Sequence, residues 1–324
     1  MRAIQLRSFG DPLSVLELVD APEPPPPMAG EVLIGVEHAP INPNDLYLIE
    51  GMFLIRPSAP TVVGNEGVGR ILAVGSGVQG LKVGDRVLAP LYSFTWRERL
   101  VVPARGLFPL PEEADPRQLA MLGINPPTAA LLLSEFVDLQ PGDWIVQNAA
   151  NSGVGRAVIP IARARGYRTI NFVRRHELVE ELKAIGGDLV LIDEEGAVHD
   201  ALETVGGARV PLGLDGVAGS AAARVTGALT SQGTLVVYAV MSGQPVTIPA
   251  LDLIAKQIVA KGFFLNHPDV EPKIPAALRE TTPLVASGAI HTPVAATYPL
   301  EAFREAVAHA QRGGKVLFDI GGHR

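Results

Sequence analysis

The stretch Gln147-Asn148-Ala149-Ala150-Asn151-Ser152-Gly153-Val154-Gly155-Arg156-Ala157 constrains this chain more than any other. It follows the apolar run Trp144-Ile145-Val146, which reads as a buried parallel strand. It opens a helix whose apolar face is Val158, Ile161 and Ala162. Strand, turn of small residues, helix: in this setting backbone N–H groups at the positive end of a helix meet a pyrophosphate. Only small residues let the backbone come that close. Against G-x-G-x-x-G the match is degenerate, since the three fingerprint positions hold Ala150, Ser152 and Gly155. Taken alone, the stretch also fits a plain strand–turn–helix of an α/β domain. The next strand, Thr169-Ile170-Asn171-Phe172-Val173, adds weight. An NAD-preferring loop expects Asp or Glu at its end, to hold the ribose 2′-OH. Here the strand runs into Arg174-Arg175. A carboxylate would repel a 2′-phosphate, whereas Arg holds it with two parallel N–H bonds. The expected cofactor is NADPH. The alternative is that both arginines are a solvated strand end.

With 324 residues the chain is too long for one ordinary core, and two domains are expected. A hydrophobic share of 47% against 19% charged suits a folded, enzyme-sized protein. No apolar run approaches the roughly 18 residues of a membrane span. The strand-like Arg2-Ala3-Ile4-Gln5-Leu6 begins almost at once, so no signal or transit peptide is expected. Cysteine is absent, which excludes disulfides and thiolate chemistry and points to a cytoplasmic setting. The net charge of −7, with no Lys/Arg-rich run, argues against nucleic acid or an anionic membrane as partner.

The first part of the chain reads as short strands punctuated by Gly and Pro, to about Pro111. Pro22 to Pro27 is a stiff extended connector. Asn42-Pro43-Asn44-Asp45 carries the start signal of a short helix, with Asn42 as its N-cap. This part is β-rich and barrel-like. From Pro116 the texture changes to helices and then to strand–helix alternation: Ile145-Val146, Thr169 to Val173, Leu189 to Ile192, Leu212 to Asp215 and Thr234 to Tyr238, with Ala260 to Asn266 as a sixth candidate. Such alternation means a doubly wound parallel sheet. Lys315 to Ile320 reads as a strand that rejoins the first domain, after an amphipathic helix at Leu300 to Val307. The expected fold is α/β: a β-rich domain over 1–118 and 266–324, and a Rossmann domain over 119–265.

This order resembles the medium-chain dehydrogenase/reductase superfamily, whose β-rich domain is GroES-like. Six stretches resemble its zinc-independent 2-enoyl thioester reductases: Ile41 to Asp45, Gly64-Asn65-Glu66-Gly67, Thr95-Trp96-Arg97, Gly123-Ile124-Asn125-Pro126, Gln147 to Gly155, and Thr169 to Arg174. The resemblance covers nearly the whole chain. Zinc-using relatives take Cys, His and Cys or Asp as ligands. This chain has no Cys, Asn65 stands at the ligating His position, and the seven His residues (38, 176, 199, 267, 291, 309 and 323) show no ligand spacing. They read as surface or lone-core histidines. A catalytic zinc needs about three protein ligands. Without one, alcohol–aldehyde chemistry is not expected, and hydride transfer to an already polarised C=C is.

The resemblance further implies a set of cofactor contacts. Asn125 would sit near the nicotinamide. Asn151, Ser152, Gly153 and Val154 would line the pyrophosphate, and Arg174, Arg175 and His176 would surround the 2′-phosphate. Tyr238 and Met241 would flank the path between adenosine and nicotinamide. Phe263, Phe264 and Leu265 would close over the ring, and Lys315 matches a cofactor-contacting lysine. Asn42 and Trp96 are expected at the catalytic centre. Relatives protonate the product with a tyrosine two residues after the glycine matching Gly51. This chain has Phe53 there, and Tyr47, one helical turn before Gly51, is the expected replacement.

Three functions remain open on the sequence: a reductase of 2-enoyl thioesters, an NADPH:quinone oxidoreductase, and a non-catalytic NADPH-binding sensor or structural protein. A homodimer is expected, because Leu235, Val236, Val237 and Val240 lie near the last strands of the sheet and an open apolar edge invites pairing.

Overall fold

The computed structural model describes residues 1–322. Seven strands come first: β1 (Arg2–Leu6), β2 (Leu16–Asp20), β3 (Glu31–Ile41), β4 (Thr61–Val62), β5 (Val68–Val74), β6 (Arg86–Leu88) and β7 (Arg99–Pro103). Six follow: β8 (Trp144–Gln147), β9 (Arg168–Val173), β10 (Leu189–Ile192), β11 (Leu212–Asp215), β12 (Thr234–Val237) and β13 (Val259–Gly262). Two close the chain, β14 (Val294–Pro299) and β15 (Lys315–Asp319). There are two compact units, Met1–Ile124 with Thr282–Arg324, and Asn125–Thr281.

The changeovers fall a little later than 118 and 266, and hydrogen bonds give the reason. The Ile124 amide donates to Glu66 Oε2 at 3.0 Å, holding residues 119–124 to the β-rich unit. Glu280, midway along the Ile274–Ala286 helix, takes a bidentate bond from the Arg165 guanidinium at 2.8 to 3.0 Å, holding the helix up to that point to the other unit.

In the β-rich unit one sheet runs β14-β15-β3-β5-β6, with β7 also paired to β3, and a smaller one runs β2-β1-β4. The eleven-residue β3 alternates as the sequence predicts, and its inward residues Val32, Ile34 and Val36 join Ile4, Leu6, Trp96 and Phe318 in one core. β15 returns antiparallel to β3, pairing Phe318 with Ala39 and Val316 with Ile41. This pairing brings the start of the last strand to the start of the Pro43–Ile49 helix.

In the second unit six parallel strands run in the order β10-β9-β8-β11-β12-β13. Adjacent residues Phe172 and Val173 join two separate apolar clusters, which is what alternation in a sheet covered on both faces produces. One edge strand is β13, whose four residues are all exposed. Here the dimer expectation needs a correction: Leu235 and Val236 are wholly buried in the second-last strand and form no edge. Val240 is exposed, as are Val259 on β13 and Leu251, Leu253 and Ile254 on the Ala250–Ala255 helix.

Candidate active site and cofactor site

The parallel-sheet unit builds the nucleotide loop from buried amides. Gln147 Nε2 at the end of β8 donates to the Gly155 carbonyl at 3.0 Å and to Asn171 Oδ1 on β9 at 2.7 Å. Asn148 Nδ2 donates to Asp215 Oδ1 at 2.6 Å, and its own Oδ1 accepts from the Gly216 amide at 2.8 Å. Three strand ends are thereby pinned around the turn. Ala149 takes a positive φ of 46°, and Ser152 caps the Gly153–Ala164 helix by accepting from the Gly155 amide at 3.1 Å. Added side chains would force neighbours to move here. A Cβ on Gly155 would stand 2.6 Å from Ala150 Cα, and one on Gly153 would stand 2.4 Å from Asn125 Nδ2. Asn125 therefore packs on the first residue of that helix.

Tyr238, just past β12, points its hydroxyl to the same place. Its oxygen would be 2.6 Å from a Cβ on Gly216, it neighbours Ser152, and it is buried without a hydrogen-bond partner. An orphaned phenol beside the N-terminus of a long helix fits a dinucleotide with polar groups along its length. Asn151, Arg174, Arg175 and His176 are exposed, the last three at the end of β9. Arg175 pairs with Glu177 at 3.4 Å. Met241 is half exposed. Phe263 meets Phe136 edge-on at 6.0 Å and Phe264 is half-buried, whereas Leu265 is core.

The β-rich unit holds a buried acid cluster that sequence reasoning passed over. Asn42 caps the Pro43–Ile49 helix in a capping box: its amide donates to Asp45 Oδ2 at 2.7 Å. Asp45 Oδ1 accepts from the Asn65 amide at 2.8 Å. Asn42 Nδ2 donates to Glu66 Oε1 at 2.7 Å, and Lys315 Nζ donates to Asn42 Oδ1. Burial pushes the carboxyls of Asp45 and Glu66 up to about 7, against the pull of Lys315 and their N–H donors. Burial pushes the Lys315 ammonium down, and the two acids oppose that. Both acids lie inside the quoted motifs, so the signal was present. The capping pattern explained Asp45 as a helix start, and nothing in one dimension shows that Glu66 meets it.

Trp96 is a correction. It is fully buried, its indole N–H donates to the Pro40 carbonyl at 3.2 Å, and it packs edge-on against Phe318. A group with no accessible surface is core and touches no substrate. Tyr47 is half-buried on the Pro43–Ile49 helix, and its carbonyl accepts from the amides of Met52 and Phe53. The Phe53 ring stacks on Tyr92, with centroids 6.1 Å apart.

Residues 28–112 match the family model of the alcohol dehydrogenase GroES-like domain, and residues 153–282 match that of the zinc-binding dehydrogenases. The mitochondrial enoyl-[acyl-carrier-protein] reductase of Rattus norvegicus is 37% identical over 319 residues, spanning 95% of this chain and 84% of its own. The chain belongs to the 2-enoyl thioester reductase branch of the medium-chain dehydrogenase/reductases. Among solved structures, the thioester reductase Etr1p of Candida tropicalis, in complex with NADP and crotonyl-CoA, has a TM-score of 0.87 at 25% identity. That match covers 98% of this chain and 99% of Etr1p. A mycobacterial quinone oxidoreductase has a TM-score of 0.84 at 27% identity, covering 99% and 100%.

Metal does not fit this reductase. Among the described residues no three His, Cys, Asp or Glu are grouped to hold an ion, and His323 lies outside them. Asn65 is wholly buried, with neither side-chain amide atom hydrogen-bonded. Asn42 is already committed to Lys315 and Glu66. No helix among the described residues is long and apolar enough to cross a membrane.

Proposed function

We propose that this protein reduces the C2=C3 bond of 2-enoyl thioesters with NADPH. The observation that carries the reading is the Asn65 amide where zinc-using relatives keep a ligating histidine, in a cluster with no donor set for a metal. A substrate of such a site has to arrive polarised, as a double bond conjugated to a thioester carbonyl is. NADPH supplies a hydride for the β carbon when bound. The chain's own residues hold and orient. Ser152, Gly153 and Val154, with Asn151, would offer first-turn amides to the pyrophosphate. Arg174, with Arg175 and His176, would grip the 2′-phosphate. Asn125 and the Tyr238 hydroxyl would meet the cofactor, with Met241, Phe263 and Phe264 lining its path.

A second reading, NADPH:quinone reduction, is favoured by Phe53. Quinone oxygens take their protons from water and need no donor. The sensor reading predicts binding without turnover. NADPH oxidation with a panel of crotonyl thioesters, free 2-enoates and quinones tests all three. Turnover confined to thioesters supports the proposal, and turnover confined to quinones replaces it.

A homodimer through the β13 edge is part of the proposal, supported by the exposed Val259, Leu251 and Ile254. Etr1p is also known as a heterodimer with Etr2p, so a mixed assembly is the competing arrangement. We also propose a cytoplasmic setting. The curated relatives have mitochondrial names, and cell fractionation decides between the two.

A further inference from the structure

Once Cβ of an enoyl thioester gains its hydrogen, the electron pair rests on Cα and the carbonyl oxygen, and Cα needs a proton. Phe53 stands where relatives keep a tyrosine and has no proton to give. We infer that Tyr92 is the general acid of this reduction, its phenol stacked on the Phe53 ring that occupies the family tyrosine's place. The inference rests on the enoyl thioester reading above.

Three observations carry it. The first is the stack itself. The rings of Phe53 and Tyr92 lie 6.1 Å apart at 30°, and both are half-buried, so a phenol lies beside the ring that stands at the family tyrosine's position. The second is the backbone. Tyr92 holds φ at +60°, a left-handed conformation uncommon for a bulky residue. The loop around it is tied down. The Tyr92 amide donates to the Asn65 carbonyl at 2.9 Å, Ser93 Oγ to the Pro90 carbonyl at 2.7 Å, and Arg97 Nη2 to the Ser93 carbonyl at 2.7 Å. Such a conformation persists where the surroundings require that side chain to point one way.

The third observation is the company the phenol keeps. It neighbours the Asn44 side chain and the carboxyls of Asp45 and Glu66. Burial, with those two acids, raises its pKa well above the usual tyrosine value, so the proton stays on oxygen until a strong base forms beside it. An enolate is such a base. In the step, the Tyr92 O–H bond breaks and a Cα–H bond forms from the enolate pair. The phenolate of the half-buried Tyr92 then regains a proton from water. Tyr47, by contrast, meets the Phe53 loop through its backbone carbonyl.

The test starts with the unmodified protein and crotonyl-CoA. No turnover retires the enoyl thioester reading, and the inference with it. Given turnover, Tyr92→Phe is expected to lower kcat by 10²-fold or more, with KM and NADPH affinity within about twofold, because a positioned acid contributes 10²–10⁴-fold. That loss should exceed the loss in Tyr47→Phe. Adding Phe53→Tyr to Tyr92→Phe should restore at least tenfold, which a merely packing role for Tyr92 does not predict. In D2O the unmodified enzyme should deuterate one face of Cα, and Tyr92→Phe should give a mixture. A Tyr92→Phe enzyme that binds NADPH and keeps kcat within threefold, or a larger loss in Tyr47→Phe, overturns the inference while leaving the function standing.

Discussion

Asn42 accepts a hydrogen bond from the Lys315 ammonium, 273 positions further along the chain. The same side chain donates to Glu66. One amide thus links a cation and a carboxylate that the fold has taken largely out of water. Isolated, either charge would be costly there, and together with Asp45 they share one polar island.

That island makes stability depend on pH. Unfolded Asp and Glu titrate near 3.9 and 4.3, whereas folded Asp45 and Glu66 are raised to about 7. Between these values the folded chain binds more protons than the unfolded one. Their contribution is therefore full below about pH 4 and is lost as pH rises through about 7. Lys315, pushed down, acts in the opposite sense on the alkaline side. Urea unfolding at pH 5 and pH 8 should give the lower midpoint at pH 8. Lys315→Met removes the charge that holds both acids down, and should steepen the fall. A flat midpoint in both proteins contradicts this.

Arg174 is exposed at the end of β9, with no carboxylate paired to it among the described residues. Arg174→Ala should weaken NADPH binding by at least about tenfold, equal to 1.4 kcal/mol, and leave NADH nearly unchanged. Titration calorimetry with both cofactors reads this directly. Equal losses for the two would remove the 2′-phosphate role.

Gly155 tolerates no Cβ, since the atoms it would strike are backbone: Ala150 Cα at 2.6 Å and the Ala149 and Ala150 carbonyl oxygens at 2.7 Å. Gly155→Ala should cost about 1–3 kcal/mol of stability, as overpacking does, and should abolish NADPH binding at micromolar protein. Gly196→Ala, where a Cβ meets nothing but φ is +95°, should cost stability through its backbone alone and keep cofactor affinity.

Ile254 is 72% exposed and Leu251 75%, on the helix that leads into the open edge β13. Light scattering should report twice the 34.2 kDa chain mass at micromolar concentration. Ile254→Lys with Leu251→Glu should halve it, because charges do not bury at an apolar seam. A monomer mass for the unmodified protein ends the homodimer proposal.

The sequence by itself determined the local grammar. Trp144 to Gln147, the small-residue turn and the Gly153 helix were legible, because a phosphate loop needs close backbone approach and few residues permit it. Arg174 was legible for a similar reason, since its charge follows the last residue of a strand. The β-rich to parallel-sheet order was legible because hydrophobic period and Gly/Pro spacing report how each segment buries its surface. Only the tertiary structure decided the rest. Leu235 reads the same whether it lines an edge or a core, and the placement of β13 outside it settled that. Trp96 stands in a family motif, yet the packing of β15 against β3 buried it under Phe318. The bonds of Asn42 to Glu66 and to Lys315 join residues 24 and 273 positions apart, and the Phe53–Tyr92 stack joins residues 39 apart. Proximity at such separations comes from sheet register and loop closure, which no local pattern encodes, and so the chemistry of this site became visible only once β15 had returned to β3.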